Sequence, residues 1–535
     1  MSAGRLDRLA LLASVAALAA LQLWLRPLLP VDETRYLAVA WEMWWRGDFL
    51  LPWLNGEPYS HKPPLLFWLI HALWALFGVS ELAARLLPVV FSLLSLWGAA
   101  RLAQRLWPQQ AAGIGVLVPW LLLGGVFWNN FFSLLQFDLL LVLAAMLAWH
   151  GLLTARHKPL GGWPLVALGI GFGILAKGPV ILVPVLPALL LAPWWAGSAP
   201  APGWPRWYLG GLLALVGGAA MALAWAVPAG LAGGDAYREA IFWGQSAGRV
   251  LESFAHRSPW WSYLLWLPLM WLPWLLWPQL WRAARGVGVG DPGTRFCLAV
   301  LVPALLVFSL ISGKQGKYLL PLFPLIAALS AHWLVTAERE GQRYRAAFVA
   351  VFLLPSGVLL ALLPWLPTGP EWLTRIQPLW GLALLAWGGL FLFLRLPLAA
   401  LVRGAALGAL LWSAVVTLAL VEPARPAYDL ATISRTLSAL QAEGRAVAWL
   451  GKYHGQFQFL GRLRQRIEPL QARGPLRAWL EANPDGYLLV NYKTSQPEIP
   501  ADLRLQPYRG GSLALWPAAR LRAQPHWVDA LPGNA

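Results

Sequence analysis

A few acids and lysines stand where an apolar chain has least reason to place charge. Asp32 and Glu33 directly follow the first apolar run, in Pro30-Val31-Asp32-Glu33-Thr34-Arg35-Tyr36, and Asp138 sits between Phe137 and Leu139 at the head of another. A carboxylate at the edge of a lipid-embedded helix is costly unless it is solvated, paired or functional. Asp32-Glu33 could also cap a helix starting at Thr34, because acids favour a helix amino terminus. Asp138 has no cation beside it in sequence and is harder to explain that way. Lys62, Lys177, Lys314 and Lys317 lie at the ends of apolar runs or between them. Taken singly, each reads as a lysine snorkelling to the interface. Together, on the side that carries the acids, they suit an anion such as a phosphate.

The elements that must position these groups are membrane spans. Of 535 residues, 59% are hydrophobic and 12% charged, against about 25% charged in a soluble globular protein. The mean hydropathy is +0.57. Many of the 36 tryptophans fall near the ends of apolar runs, where an amphipathic ring suits the headgroup level. The net charge of +17 does not indicate nucleic acid, because the basic residues form no single patch or arm. The one cysteine, Cys297, cannot form an intramolecular disulfide, and no zinc-type Cys/His cluster is present. Arg5 and Arg8 before the run from Leu9 resemble a signal peptide. No convincing cleavage site precedes Asp32, so a retained first helix is expected.

A span needs about 20 apolar residues, which places spans near 9–29, 82–104, 110–128, 137–153, 162–176, 178–195, 207–229, 260–280, 296–312, 318–336, 346–365, 378–395 and 398–421. That is about 13 by the same criterion. With the amino terminus cytoplasmic, the inner loops collect Arg101/Arg105, Arg156/Lys158, Arg206, Arg282/Arg285, Arg339/Arg343/Arg345 and Arg395/Arg403, as the positive-inside rule requires. The acids and the four lysines then face outward. The run Leu65–Phe77 is short for a span and fits a helix lying in the interface. From Glu422 onward charge rises and apolar runs shorten. Residues 1–421 are therefore expected to form the membrane domain and 422–535 a small outer α/β domain. In that domain a helix is expected near 429–443 and strands near 445–450, 486–491 and 511–516; nothing in it reads as catalytic.

The first outer segment is similar to the start of the aminoarabinose lipid A transferases and their relatives, the protein O-mannosyltransferase-like, polytopic glycosyltransferases of GT-C type. The shared marks are Asp32-Glu33-x-Arg35-Tyr36, Gly47-Asp48, Leu54-Asn55-Gly56, Tyr59, Lys62-Pro63-Pro64 and Glu81-x-Ala83-Ala84-Arg85-Leu86. Leu175-Ala176-Lys177-Gly178-Pro179, the loop from Arg249 through His256 to Pro259-Trp260-Trp261, and Ser312 to Tyr318-Leu319-Leu320-Pro321 extend the likeness over about the first 320 residues. One position departs: the family commonly has Glu before the Lys-Pro-Pro, and here that residue is His61. The sugar and acceptor are left open by it, as is any metal site using that Glu.

The resemblance implies a GT-C type membrane all-α bundle. It implies a polyprenyl-phosphate sugar donor and inverting transfer to a lipid A-like acceptor on the periplasmic side of the inner membrane. It carries Asp32 over as the leading catalytic residue and Asp138 as a second acid. Arg35, Tyr59 and Lys62 would lie by the donor phosphate, with Arg249, Lys317 and Tyr318 as further candidates. Glu33, His61, Lys177, His256 and Lys314 complete the substrate-binding set. A divalent cation held by Asp32, Asp138 and a histidine is compatible with the preference of hard cations for carboxylates; the sequence does not decide it. A protein or cell-surface glycan is the alternative acceptor. The alternative of another class is a lipid-linked-sugar transporter, which would not need the acids outside the first helix.

Overall fold

The computed structural model describes residues 3–198, 203–244, 258–366, 371–471, 473–493 and 500–532. Among them, nine helices are long and apolar enough to cross a membrane: Gly4–Leu25, Glu81–Leu106, Asp138–Ala155, Pro159–Lys177, Gly203–Ala232, Pro292–Leu310, Gly316–Thr336, Ala347–Trp365 and a stretch beginning at Leu398. The chain is a multi-pass membrane protein. Elsewhere the expected spans meet shorter or broken helices. Residues 110–128 give Ala111–Gly124 followed by the short helix Val126–Phe131, and residues 260–280 give Ser262–Met270 before the helix of Pro278–Gly286. The break expected at Lys177-Gly178-Pro179 is present, with Gly178 at a φ of +79°, a conformation open to glycine at no steric cost.

The segment after α1 (Ala3–Leu25) folds as α2 (Asp32–Arg46), a two-strand ribbon of β1 (Trp53–Leu54) and β2 (Glu57–Pro58), and α3 (Leu65–Phe77), before α4 (Glu81–Leu106) begins. At ~1.5 Å per residue, the 13 residues of α3 fall short of a hydrocarbon core of ~30 Å. α3 buries Leu66, Phe67, Ile70 and Trp74 and leaves Leu76 and Phe77 exposed.

Small residues set how closely two spans approach. Asp138–Ala155 and Pro159–Lys177 meet through Gly162 and Gly169. A Cβ on Gly162 would lie 2.3 Å from the amide nitrogen of Ala155, and one on Gly169 2.7 Å from the carbonyl of Ala144. Without a hydrophobic drive between helices in lipid, such backbone contact is a main source of association. It brings the last residue of one helix, Lys177, beside the first residue of the other, Asp138.

The helix beginning at Leu398 continues to Tyr428, past the expected end near 421. A helix follows at Ala431–Ala442, then five strands in the order Glu468–Leu470, Val447–Leu450, Tyr487–Lys493, Gly511–Pro517 and Arg504–Tyr508. The first three strands of that order pair in parallel and the rest antiparallel. The strands at 468–470 and 504–508 were not expected from the sequence.

This sheet does not stand apart from the bundle. Asn55, in the left-handed region at a φ of +55°, donates to the Ile467 carbonyl at 2.8 Å. Its side-chain oxygen accepts from the Ile467 amide at 2.9 Å and from Gln458 at 2.8 Å. Trp41 donates to the Leu463 carbonyl at 3.0 Å, and the Trp74 ring stacks on Phe459 at 5.5 Å. Asn55→Ala removes three bonds of about 1 kcal/mol each. It should raise hydrogen exchange across 455–467 relative to the sheet strands, by about tenfold or more.

Candidate active site

Asp32 and Glu33 are neighbours in sequence but face different surroundings. Asp32 opens α2, and its carboxylate takes Arg35 at 2.5 Å and Lys317 at 3.1 Å. Glu33 is buried. It pairs with Arg26 and accepts from the amides of Leu29 at 3.0 Å and Leu135 at 2.8 Å. Arg26 also donates to the Ser133 carbonyl, and Arg85 to the carbonyls of Leu23 and Arg26. The Glu33 network thus ties the end of α1, the start of α2, α4 and the 133–135 stretch leading into Asp138. Arg26 and Arg85 were not singled out as partners from the sequence.

Asp138 is buried and paired with Lys177. The Lys177 ammonium lies 4.6 Å from the centre of the Tyr318 ring. Lys317, next to Tyr318, holds Asp32, so the two acid–lysine pairs are joined through Lys317-Tyr318. On the opposite flank, the Lys62 ammonium lies 5.9 Å from the Phe137 ring and Tyr36 packs edge-on to the same ring at 4.9 Å. Tyr59 and His61 lie with ring centres 5.4 Å apart, and Arg35 is close to both Tyr36 and Tyr59. The structure therefore gathers Asp32, Arg35, Tyr59, His61, Lys62, Asp138, Lys177, Lys317 and Tyr318.

Four of the expected positions are elsewhere or not described, the first being Glu33, which was expected to bind substrate but is buried with both oxygens taken by Arg26, Leu29 and Leu135. Lys314 is buried with its ammonium on the carbonyls of Ser258 at 3.0 Å and Ile311 at 2.6 Å, where it ties Ser258 to the end of the helix Pro292–Leu310. Arg249 and His256 lie outside the described residues. Among the described residues, no three His, Cys, Asp or Glu side chains form a metal-binding group, so Asp32, Asp138 and His61 are not gathered as one ligand set.

Electrostatics give the Asp32 carboxylate a fixed state. Burial pushes its pKa up, but Lys317, Arg35 and Lys62 outweigh burial and hold it below the ordinary 3.8. It is an anion at neutral pH. Glu33, where burial is outweighed chiefly by Arg26, is lowered too. Burial, with the Asp32 charge second, raises the Tyr36 phenol well above its usual value, so it stays neutral.

The sequence also overlooked a wall of the site. His454 belongs to the loop Gly451-Lys452-Tyr453-His454-Gly455 after the strand Val447–Leu450. Burial lowers its pKa from 6.5, as do the charges of Arg35, Lys452 and Arg509, against the opposing effect of Asp32. The loop packs against the first outer segment: a Cβ on Gly455 would lie 2.4 Å from Leu54 and 3.3 Å from Ala38. The carboxyl-terminal part, in which nothing reads as catalytic from the sequence, thus lines the first segment through this loop. The pair of glycines bracketing Lys-Tyr-His was the available signal.

Residues 61–225 match the family described as dolichyl-phosphate-mannose-protein mannosyltransferase; the match takes in Lys62, Asp138 and Lys177 and begins after Asp32. An undecaprenyl phosphate-alpha-4-amino-4-deoxy-L-arabinose arabinosyl transferase of Erwinia tasmaniensis is 29% identical over 357 residues, 64% of this chain and 62% of the relative. The transferase of the same name from Pseudomonas aeruginosa LESB58 is 32% identical over 316 residues, 58% of this chain and 56% of the relative. The chain thus matches about three fifths of the length of these curated relatives. The crystal structure of ArnT from Cupriavidus metallidurans in the apo state superposes with a TM-score of 0.76 at 18% identity, over 96% of this chain and 98% of that one. A second structure of that protein, bound to undecaprenyl phosphate, gives 0.75. The fold is that of the ArnT structures, and the resemblance read from the motifs holds.

If Lys177 serves chiefly to neutralise buried Asp138, removing one partner strands the other. Lys177→Met should cost about 3 kcal/mol, read as a lower melting temperature in detergent. Adding Asp138→Asn should restore most of that stability without restoring any activity.

Proposed function

We propose that this chain is a glycosyltransferase that moves a sugar from a polyprenyl-phosphate donor to a lipid A-like acceptor on the periplasmic side of the inner membrane, with inversion. The observation that carries the reading is the paired arrangement of Asp32 with Arg35 and Lys317, and of Asp138 with Lys177, beside Lys62. Relatives named as arabinosyl transferases, and a full-length likeness to a structure that binds undecaprenyl phosphate, support the same reading. In this proposal the chain crosses the membrane thirteen times. The amino terminus is cytoplasmic and residues 422–535 are periplasmic.

Transfer breaks the anomeric C–O bond and leaves the added negative charge on the departing phosphate. Fixed cations aimed at that phosphate stabilise the transition state without reorganising at the moment of reaction. Arg35, Lys62 and Lys317 would meet it directly, with Lys177 one step deeper. Asp32 would face the sugar and acceptor. A carboxylate held this low is a weak base, which favours an acceptor that is already an anion over a neutral hydroxyl. Asp32 then balances the oxocarbenium-like charge growing on the sugar, while the surplus cations hold the anionic acceptor. Glu33 supports this from below, holding the α1–α2 junction.

Radiolabelled sugar transfer from polyprenyl-phosphate donors in proteoliposomes tests the proposal. Wild type should transfer, and a folded Asp32→Asn protein should be slower by about 10²-fold or more. If both proteins move the lipid across the bilayer and neither transfers sugar, the chain is a transporter. The pH profile separates the acceptors. Asp32 protonates only below its ordinary value of 3.8, so it contributes no loss between pH 7 and 5. With a phosphate monoester as acceptor, the rate should fall through about pH 6 as the second phosphate proton returns; with a glycan hydroxyl it should stay flat there.

A further inference from the structure

The turn Gly461-Arg462-Leu463-Arg464 carries two arginines that the transfer chemistry does not use. It packs against α2 and α3, near the start of α4. Arg462, left-handed at a φ of +51°, places its guanidinium 3.9 Å from the centre of Phe459 and 5.2 Å from that of Trp41. Arg464 lies 6.0 Å from the same Trp41 ring. Phe459 in turn stacks on Trp74 of α3, and the Trp74 indole donates to the Ser80 carbonyl at the entry to α4. Arg462 also feels the charge of Glu81, the first residue of α4.

Neither arginine forms an ion pair among the described residues. Glu81 is taken by Arg85, while the neighbouring Arg466 is engaged by Glu57 and Glu468. One Arg462 nitrogen donates to the Phe459 carbonyl, which fixes the fork and leaves its other donors outward. Both side chains are exposed. Along α4 from Glu81 onward, Leu82, Leu86, Val90 and Leu94 are exposed at a spacing of four, and Leu76 and Phe77 at the end of α3 are exposed too. At that spacing the four leucine and valine side chains form one ridge along the helix, facing lipid.

We propose that Arg462 and Arg464 bind the phosphate of an anionic phospholipid in the outer leaflet, whose acyl chains lie along the α4 ridge. A planar guanidinium matches phosphate geometry, and stacking on Trp41 and Phe459 orders the two forks before the lipid arrives. The bound head group would rest against the part of the chain that docks on the first outer segment. The inference does not depend on the glycosyl-transfer reading, because lipid retention is measured without a sugar donor.

Native mass spectrometry of the full chain in detergent, titrated with phosphatidylglycerol or phosphatidylcholine, tests it. Each arginine near an anionic surface is worth about fivefold in affinity. Arg464→Gln, at an exposed position, should therefore weaken the tightest phosphatidylglycerol by about fivefold. R462N with R464Q should weaken it by about 30-fold, with phosphatidylcholine unchanged. R462K with R464K, which keeps the charge but loses the stacked forks, should fall between wild type and the neutral pair. Equal phosphatidylglycerol retention by wild type and Arg464→Gln overturns the proposal. So does equal loss in the lysine and neutral pairs, and so does a wild type that retains inorganic phosphate but not the lipid.

Discussion

A buried carboxylate holds one end of the bundle together. Glu33 must satisfy both oxygens inside the protein, and it does so with Arg26 and the amides of Leu29 and Leu135. The partners come from two stretches of chain, the connection between α1 and α2 and the turn before Asp138. A buried ion is tolerated only when its pairing is complete, so these stretches have one arrangement that closes. That arrangement sends Asp32 out of one side of α2 and sets the approach to Asp138. Asp32 and Asp138 are thus located by a third acid that is buried in a network of its own.

Around those acids, cations are in surplus. Asp32 shares Arg35 and Lys317, Asp138 holds Lys177, and Lys62 stands on the Phe137 flank. The acids hold Arg35, Lys177 and Lys317 in place. A phosphate entering the site would compete for the same donors, and each one it drew away would leave an acid with less compensating charge. Under the proposed reaction the electrostatic strength of Asp32 toward a cationic sugar therefore depends on the donor being bound. This coupling needs no moving loop, only the shared donors.

Much of this was legible because lipid imposes a harsh pattern. Long apolar runs and inner basic clusters stand out, and a charge inside or beside such a run asks for a reason; Asp138 and Lys177 were found that way. Direction was harder to read. Asp32 and Glu33 are adjacent, but neighbouring helix positions point about 100° apart, and only packing shows which one faces the cavity. Lys314 and Lys317 share a loop, yet one reaches carbonyls and the other a carboxylate. His454 could not be assigned, since its surroundings come from residues some four hundred positions earlier. The strands at 468–470 and 504–508 are short and contain proline, which weakens the alternation by which strands are recognised.

Asn55 meets Ile467 across 412 residues of sequence, and that distance has a consequence for how the protein comes into being. During synthesis the first outer segment emerges early, with its acids and lysines, while its partner is made near the end. Until the last strands fold and dock, the ribbon at 53–58 and the wall around Leu54 have nothing to close against. Contacts this remote are also the slowest to form, since loop-closure entropy must be met before they return any stability. A half-made chain would thus hold its charged groups in an open basin, unable to enclose a substrate. Maturation is built into the order of the polypeptide: the residues that begin the site wait for the residues that finish it.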